Sequence, residues 1–449
     1  MIVCKFGGSS LASADQIRKV CDIVLQDRRR HIVVASAPGK RHDSDIKVTD
    51  LLISYANAVL SGYEGAQERG AICSRFAGIA EELELERDWY SFVSDDLDRR
   101  IRLYGGDSQD LTHALKAAGE DCCARLLADY LQALGEDAEY VDPLEAGMLL
   151  RLENGQTLVE EESYERLAQL RRRHSIVVFP GFFGGDRSGR VRTFSRGGSD
   201  ISGAILAAAI KAEVYENWTD VDGVYVVHPS LVRDPEGVRE ITYTEMRELA
   251  YAGFTVLHEE AISPTQLRGI PVNIRNTNNP SSPGTRIVSV RDNYDSIVTG
   301  IAGSKGFTLL HLSKHLMNRE VGFAMRVLSI LADLSIPFEH MPSGIDSLSI
   351  VIRSHNIPAE KEAIVVHRLR TELGVDQVSV NRQIGIVMIV GEAMAQTVGV
   401  TARAATALSR AGVNLELIIQ GASEISVIFG VREAFVNYAV KELYKEFFS

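Results

Sequence analysis

The stretch KFGGSS, residues 5–10, stands between an apolar run at 2–4 and an amphipathic segment at 11–25. These patterns predict a buried strand, a tight turn and then a helix. Glycines let backbone N–H groups approach an anion, the helix start adds its positive end, and Lys5 adds a full charge. The stretch therefore predicts a phosphate-binding turn, although a plain strand-to-helix turn with a surface lysine has the same pattern. The G-x-x-x-x-G-K-[ST] loop is excluded because the lysine precedes the glycines.

Length and composition restrict the class of protein. The chain has 449 residues, of which 45% are hydrophobic and 24% charged, and its formal net charge is -12. We expect a soluble globular protein of two or three domains without a membrane span or signal segment. Five cysteines without a C-x-x-C pair indicate free thiols and a cytoplasmic location. The acidic balance argues against nucleic-acid binding, but a local cluster of cations is enough for ATP.

Through about residue 290, short apolar runs alternate with longer segments of helical period. This alternation predicts an α/β sheet layered by helices, with ligands at the carboxyl ends of its strands. We expect the charged stretch 84–108 to be a helical excursion from the sheet. The predicted strands are 2–4, 32–37, 138–141, 176–179, 212–215 and 272–274, and the predicted helices are 11–27, 46–61, 65–83, 109–134, 162–173, 200–210 and 243–252.

The last third of the chain contains an internal repeat. Residues 321–352 align without a gap with residues 398–429, and both segments change from helix period to strand period at the same point. Chance similarity between two amphipathic segments is the alternative, but a duplication explains the gapless match better. We expect a tandem of small modules, each a sheet with helices on one face.

A second glycine loop, SRGGSD at 195–200, directly precedes a helical segment. Arg196 is suited to hold a substrate carboxylate through two hydrogen bonds. Asp200 is either an ordinary acid of the first helical turn or a group that organises Lys5 and Mg²⁺. Two such loops in one α/β domain suggest that one cradles phosphates and the other holds the acceptor.

Two further segments have open interpretations. WTDVDGVY, residues 218–225, follows a predicted strand, but its Asp222-Gly223 pair also matches a hairpin turn. Glu120, in an apolar helix, can bind an ammonium group or be a solvated helix acid. The sequence has no nucleophile elbow, zinc helix or His/Cys cluster. Phosphoryl transfer needs none of these, because positioning and charge neutralisation are sufficient for it.

KFGGSSL, SRGGSD, WTDVDGVY, VLH (256–258) and PVNIRNTNNPSSPGT (271–285) together make the chain resemble the monofunctional aspartokinases of the amino acid kinase family over essentially its whole length. The resemblance implies an α/β fold. A layered α/β/α amino acid kinase domain at 1–290 would be followed by ferredoxin-like ACT modules at 297–383 and 384–449. It also implies transfer of the γ-phosphoryl group of ATP, with Mg²⁺, to the β-carboxylate of L-aspartate. That reaction begins lysine, threonine and methionine biosynthesis.

The same resemblance implies a role for each site residue. Lys5 would neutralise charge on the transferred group, Asp200 would orient Lys5 and help to place the metal, and Glu120 would receive the substrate ammonium. No general base is needed, because the attacking carboxylate is already ionised at neutral pH. No dedicated protein metal site is predicted. The implied substrate-binding residues are Thr49, Glu120, Arg196, Gly198 and Ser199, and the implied nucleotide-binding residues are Lys5, Gly7, Gly8, Ser9, Thr219, Asp220 and Tyr225.

Two departures from the family pattern concern nucleotide binding. Many aspartokinases carry a lysine before V-L-H and an arginine after a T-x-D-P turn, where this chain has Thr255 and Ser230. The aspartate of that turn is His228, and Arg233 or Arg275 is a possible replacement for the missing cations. We interpret these departures as subgroup variation, although they also suggest one alternative, a catalytically weak amino-acid sensor. The enzyme alternative is another amino acid kinase with a different acceptor.

For regulation, the resemblance points to the first ACT module. Lysine, threonine or both are the expected feedback effectors, and a homodimer or tetramer through the ACT modules is the expected assembly. Glu339 or Asp346 would bind an effector ammonium, and the backbone at 321–322 its carboxylate, unless these residues only stabilise an ACT–ACT interface. The implied effector residues are Met317, Glu320, Val321, Gly322, Phe323, Ala324, Phe338, Glu339, Ser343 and Asp346.

Overall fold

The computed structural model describes residues 1–153, 155–195, 197–253, 259–294 and 296–449, with the backbone alone at 259, 260 and 262. The described chain forms two compact units. The first contains Met1–Val224, Gly237–Met246 and the described part of Thr255–Asp292, and the second contains Tyr225–Glu236, the described part of Arg247–Phe254 and the described part of Asn293–Ser449.

The strands are β1 (Ile2–Phe6), β2 (Arg30–Ala35), β3 (Ala138–Tyr140), β4 (Leu150–Glu153), β5 (Gln156–Val159), β6 (Ile176–Pro180), β7 (Phe183–Gly185), β8 (Val191–Thr193), β9 (Val214–Thr219), β10 (Glu240–Thr242), β11 (Val272–Asn276), β12 (Thr285–Val288), β13 (Gly300–Ser313), β14 (Ser347–Arg353), β15 (Gln377–Val390), β16 (Leu417–Gln420) and β17 (Ser426–Arg432). The α-helices are α1 (Ala14–Gln26), α2 (Val48–Leu60), α3 (Ala66–Glu82), α4 (Trp89–Tyr104), α5 (Ser108–Ala133), α6 (Pro143–Ala146), α7 (Glu161–Leu167), α8 (Gly198–Ile210), α9 (Tyr243–Tyr251), α10 (Glu259–Gln266), α11 (Phe323–Asp333), α12 (Ala359–Leu373), α13 (Val400–Arg410) and α14 (Val436–Phe448).

The first unit is built on an eight-stranded sheet in the order β10-β12-β11-β9-β1-β2-β6-β3. All neighbouring pairs are parallel except β11 with β12. Central β1 is buried along its whole length, because helices cover both faces of a parallel sheet. One large hydrophobic core joins β1 and β2 to helices α1 to α5. The predicted layered α/β fold is confirmed.

The six predicted strands and seven predicted helices correspond to elements of this unit, with α9 shared between the units, and the 84–108 excursion contains α4. The predicted strand at 212–215 was placed too early. β9 continues to Thr219 through Glu216 and Asn217, which are buried polar residues that an apolar-run criterion leaves out. The hairpins β4–β5 and β7–β8 were not predicted, because strands of three or four residues give little periodic signal.

The second unit contains a five-stranded antiparallel sheet in the order β14-β13-β15-β17-β16. Helices α11 and α13 begin 77 residues apart, each after a glycine with positive φ, as the internal repeat predicts. Residues 300–304 of β13 pair with 386–390 of β15, so strand pairing crosses the predicted boundary at 383/384. The predicted bounds of the three domains, 1–290, 297–383 and 384–449, stay a prediction.

Two smaller expectations can also be compared with the structure. All five cysteines are buried and free of disulfides. None of the described helices has the length and apolarity needed to cross a membrane.

Candidate active site

A buried ion pair lies at the carboxyl edge of the central sheet. Lys5, near the end of β1, places its Nζ 2.5 Å from Oδ1 of Asp200 in the first turn of α8. Asn217, opposite Lys5 on β9, donates a 2.9 Å hydrogen bond from Nδ2 to the same oxygen. Both charged side chains are almost fully enclosed, at 10% and 13% exposure. A buried ammonium needs such a carboxylate partner, so the pair fixes where Lys5 points.

The first glycine turn is packed tightly against the loop at 37–39. The N–H of Gly39 donates to the Gly8 carbonyl at 2.8 Å, and a Cβ added to Gly8 would lie 2.9 Å from the Ala37 carbonyl oxygen. The Gly7 N–H is bonded to the Trp218 carbonyl at 2.9 Å. The Gly7 N–H is thus engaged within the protein, which leaves Gly8 and Ser9 as the predicted anion donors of this turn.

The helix after this turn starts later than the sequence predicts. Residues Gly8–Leu11 form a short 3-10 helix, and α1 begins only at Ala14. Ser13 caps α1 by accepting a 3.4 Å hydrogen bond from the Gln16 N–H, and such a cap sets a strong helix start. The N–H groups that the turn can offer thus belong to the 3-10 segment and not to α1.

Glu120 is buried in α5, so the alternative of a solvated helix acid is wrong. It is 5% exposed, and its Oε2 has no hydrogen-bond partner among the described residues. Burial raises the pKa of Glu120 to about 8, although a hydrogen bond from the Ala37 backbone and the positive charge of Lys5 oppose the increase. A carboxyl group in this state is suited to receive a cation.

The second glycine loop leads into α8. Gly198 and Ser199 are buried in its first turn, and a Cβ on Gly181 would lie 2.7 Å from the Ser199 Cβ. Phe182 adopts a φ of 76°, which costs a non-glycine residue about 1–2 kcal/mol.

Of the other predicted substrate residues, Arg196 lies outside the described residues. Thr49, half-buried, is the second residue of α2, whose first N–H bonds to the Pro38 carbonyl at 3.2 Å.

The predicted nucleotide residues divide between the two units. Thr219 ends β9 two residues after Asn217 and is half-buried, and Asp220 is exposed. The partly buried Tyr225 belongs to the second unit. β9 has only parallel neighbours, so Asp222-Gly223 does not turn it into a hairpin.

Neither suggested replacement cation is a simple substitute for the missing ones. Arg275 stacks on Trp218 at 4.4 Å and bonds to Glu216 at 3.3 Å, so it is part of a buried structural network. Arg233 is almost fully exposed and lies 3.6 Å from Asp234. Thr255 lies outside the described residues.

The predicted effector residues lie in the second unit. Met317 and Phe323 are buried in it, whereas Val321 is 93% exposed beside Gly322, which has a φ of 75°. Ala324, Phe338, Ser343 and Asp346 are exposed.

The three predicted effector acids differ in their partners. Glu320 pairs with Lys314 at 2.5 Å and with Arg326. Glu339 accepts a hydrogen bond from Tyr251 and lies 3.5 Å from Arg353. Asp346 is half-exposed, with His315 Nδ1 at 3.9 Å, and is the better placed of the two predicted ammonium ligands.

A mostly parallel sheet, with two glycine loops and a lysine–aspartate pair at its carboxyl edge, is the arrangement of an α/β phosphotransferase domain. The model of the amino acid kinase family matches residues 1–276, and an ACT domain model matches residues 387–447. Aspartokinase 3 of Bacillus subtilis (strain 168) is 49% identical over 449 residues, covering 100% of this chain and 99% of the relative. Chloroplastic aspartokinase 1 of Arabidopsis thaliana is 29% identical, covering 99% and 80%.

Solved structures agree with these similarities. Clostridium acetobutylicum aspartate kinase superimposes with a TM-score of 0.89 at 39% identity and full coverage of both chains. E. coli aspartokinase III in complex with aspartate and ADP superimposes with a TM-score of 0.79 at 26% identity, again with full coverage of both chains. The chain belongs to the aspartokinases of the amino acid kinase family. It is an aspartate kinase with ACT regulation.

Proposed function

We propose that Lys5, Asp200 and Glu120 form the catalytic centre of this aspartate kinase. The reaction transfers the γ-phosphoryl group of ATP to the β-carboxylate of L-aspartate and gives 4-phospho-L-aspartate. The observation that carries the proposal is the buried, partly unpartnered Glu120 carboxyl near the Lys5–Asp200 pair. Glu120 offers a site for the substrate ammonium, and Lys5 offers a fixed positive charge for the phosphates.

Lys5 provides charge neutralisation. Phosphoryl transfer passes through a loose transition state in which charge spreads over the equatorial oxygens. A lysine held by Asp200, which is itself held by Asn217, needs no reorganisation when this charge develops. Such preorganisation is the largest single contribution in many enzymes. Gly8 and Ser9 add backbone N–H groups for the phosphates, with Thr219, Asp220 and Tyr225 assigned to the rest of the nucleotide.

Mg²⁺ fits this donor set as a partner of the nucleotide. Mg²⁺ is commonly bound through one or two carboxylates plus substrate phosphates and waters. Among the described residues there is no cluster of three or more His, Cys, Asp or Glu side chains that could hold a metal ion, and Asp200 is the carboxylate that pairs with Lys5. Asp200 would hold the ion together with the phosphates, and the ion would neutralise charge on the β- and γ-oxygens.

L-aspartate is assigned to the space beside Glu120. Its ammonium would bind to the Glu120 carboxylate, its α-carboxylate to Arg196, and Ser199 and Thr49 would add hydrogen bonds. The β-carboxylate then attacks the γ-phosphorus as its anion, and the bond to the ADP oxygen breaks without a general base.

Lysine is the proposed feedback effector. E. coli aspartokinase III, 25% identical with a TM-score of 0.76, was solved in complex with lysine and aspartate in the T-state. In this chain, Asp346 would bind the effector ammonium and the backbone at 321–322 its carboxylate. Threonine, a homo-oligomer through the ACT modules and a cytoplasmic location stay predictions.

Trapping the acyl phosphate with hydroxylamine tests the function. We expect turnover with L-aspartate, much slower turnover with L-glutamate and none with N-acetylglutamate. Turnover on glutamate alone would overturn the assignment, and lysine binding without any turnover would identify an amino-acid sensor. Adding lysine and threonine, separately and together, to the same assay identifies the effector.

A further inference from the structure

One face of α5 connects two parts of the proposed aspartate site. Asp110, His113, Ala117 and Glu120 follow one another at spacings of three and four residues, so they share a helix face. Glu120 is at the site, while the residues before it contact the β7–β8 hairpin. Ala117 packs with Phe183 and Val191 of that hairpin.

Asp110 and His113 of α5 form the polar contacts that fasten the hairpin to the helix, and Asp110 also pairs with Arg190 of the hairpin turn at 3.2 Å. Arg192 donates from Nη1 to Asp110 Oδ1 at 2.5 Å and is held on its other side by Asp186 at 2.9 Å. The Thr193 N–H donates to His113 Nδ1 at 3.3 Å, and the Thr193 hydroxyl lies 2.8 Å from the same nitrogen. Because a backbone N–H can only donate, Nδ1 is an acceptor and the imidazole proton is on Nε2.

The hairpin in turn holds the start of α8. Phe194 N–H bonds to the Phe182 carbonyl at 2.8 Å, and Phe182 N–H donates to Ser202 Oγ at 3.0 Å. Ser202 donates to the Gly198 carbonyl at 3.0 Å, and a Cβ on Gly198 would collide with Phe182 at 2.6 Å. The contacts thus run from α5, through the hairpin, to the turn that carries Ser199 and Asp200.

We propose that Asp110 and His113 are positioning residues that set the spacing between Glu120 and the start of α8, and thereby the length of the acceptor amino acid. The proposal rests on the proposed function, in which the ammonium binds at Glu120. Ten residues of helix span about 15 Å as a rigid rod, so the hairpin cannot shift along α5 while both contacts hold. A displacement of about 1 Å can cost 10²-fold in rate, and L-glutamate differs from L-aspartate by one methylene.

The test compares His113→Ala and Asp110→Asn with Thr112→Ala, a control on α5 whose hydroxyl donates to the Ser108 carbonyl of the same helix. We expect both positioning variants to raise the aspartate KM about tenfold, to leave the ATP KM unchanged and to narrow the preference for aspartate over glutamate. Thr193→Val is a milder change and should shift the same quantities about threefold. His113→Gln, which can accept the Thr193 N–H, should restore most of the discrimination.

The positioning role would be overturned if these variants kept the full preference for aspartate over glutamate. It would also be overturned if they lost kcat with the aspartate KM and the ATP KM unchanged. Glu120→Gln separates this result from a failure of the proposed function. If Glu120→Gln leaves the aspartate KM unchanged, the site assignment itself is wrong. If it raises that KM while His113→Ala and Asp110→Asn do not, only the positioning inference fails.

Discussion

Glu120→Gln is expected to stabilise the protein at alkaline pH while it weakens aspartate binding. Glutamine has nearly the same shape as glutamate and cannot ionise. Glu120 is 5% exposed, one of its oxygens has no hydrogen-bond partner among the described residues, and burial raises its pKa from 4.5 to about 8. The negative form is therefore unfavourable without a bound cation.

The sign and size of the stability change follow from linkage. Because the folded-state pKa is raised, the proton contributes stability that is fully present below pH 4.5 and is lost as the pH rises through 8. A tenfold change in proton affinity corresponds to about 1.4 kcal/mol, so the loss reaches roughly 5 kcal/mol above pH 8. At pH 7 it is about 3 kcal/mol. Glu120→Gln should recover part of this lost free energy of unfolding. The variant should be no more stable than the unchanged protein near pH 5.

Two measurements check this reasoning. Urea unfolding without aspartate gives the free energy of unfolding at pH 5, 7 and 9. Asp121→Asn, a carboxylate-to-amide change at the neighbouring residue, is the control variant. Asp121 is paired with Arg100, so Asp121→Asn should destabilise the protein. Calorimetry in buffers of different ionisation enthalpy gives the protons that Glu120 releases on aspartate binding: about 0.9 at pH 7 and about 0.1 at pH 9. A pH-independent stability change for Glu120→Gln, together with no proton release at pH 7, would refute the reasoning.

Three further outcomes are expected. Lys5→Ala should lower kcat about 10²- to 10³-fold, with a small change in the aspartate KM, in the hydroxylamine assay; near-normal turnover would remove Lys5 from the centre. Asp346→Asn should raise the lysine concentration for half-inhibition about tenfold or more without changing uninhibited turnover, and unaltered inhibition would exclude it as the ammonium ligand. Glu216→Gln should cost about 3 kcal/mol in urea unfolding, because it leaves Arg30 buried without its carboxylate; a loss under 1 kcal/mol would show that other groups compensate.

The two loops that bring Lys5 and Asp200 together could be predicted from the sequence, because each glycine-rich segment leads directly into a helix. Lys5 and Asp200 each belong to a glycine-rich segment between a strand and a helix, and the structure joins them in one ion pair. Asn217 was missed, because it lies inside a strand whose apolar run had already ended. A buried amide is tolerated there only because it donates to Asp200, and that partner is not visible from local periodicity.

The partners of the predicted effector acids could not be predicted from the sequence, because they too are distant in the chain. Glu339 and Tyr251 are 88 residues apart, and their hydrogen bond depends on how the chain returns within the second unit. Likewise, the arginine at 275 carries the charge needed near a nucleotide, but its stacking on Trp218 and bond to Glu216 commit it to the core. Residue type predicts what chemistry is possible, whereas long-range pairing decides whether a group is free to perform it.

These pairings make the resting centre nearly neutral. Lys5 and Asp200 cancel each other, and Glu120 is mostly protonated at pH 7 because its pKa is about 8. In the proposed site an arriving aspartate ammonium favours the ionised Glu120, so Glu120 exchanges its proton for the ammonium group and the resulting ion pair is neutral. Lys5 is then unchanged beside the phosphates, because its own partner is Asp200. The two cations of the proposed site, Lys5 and the substrate ammonium, thus have separate carboxylate partners, so substrate binding does not draw Asp200 away from Lys5.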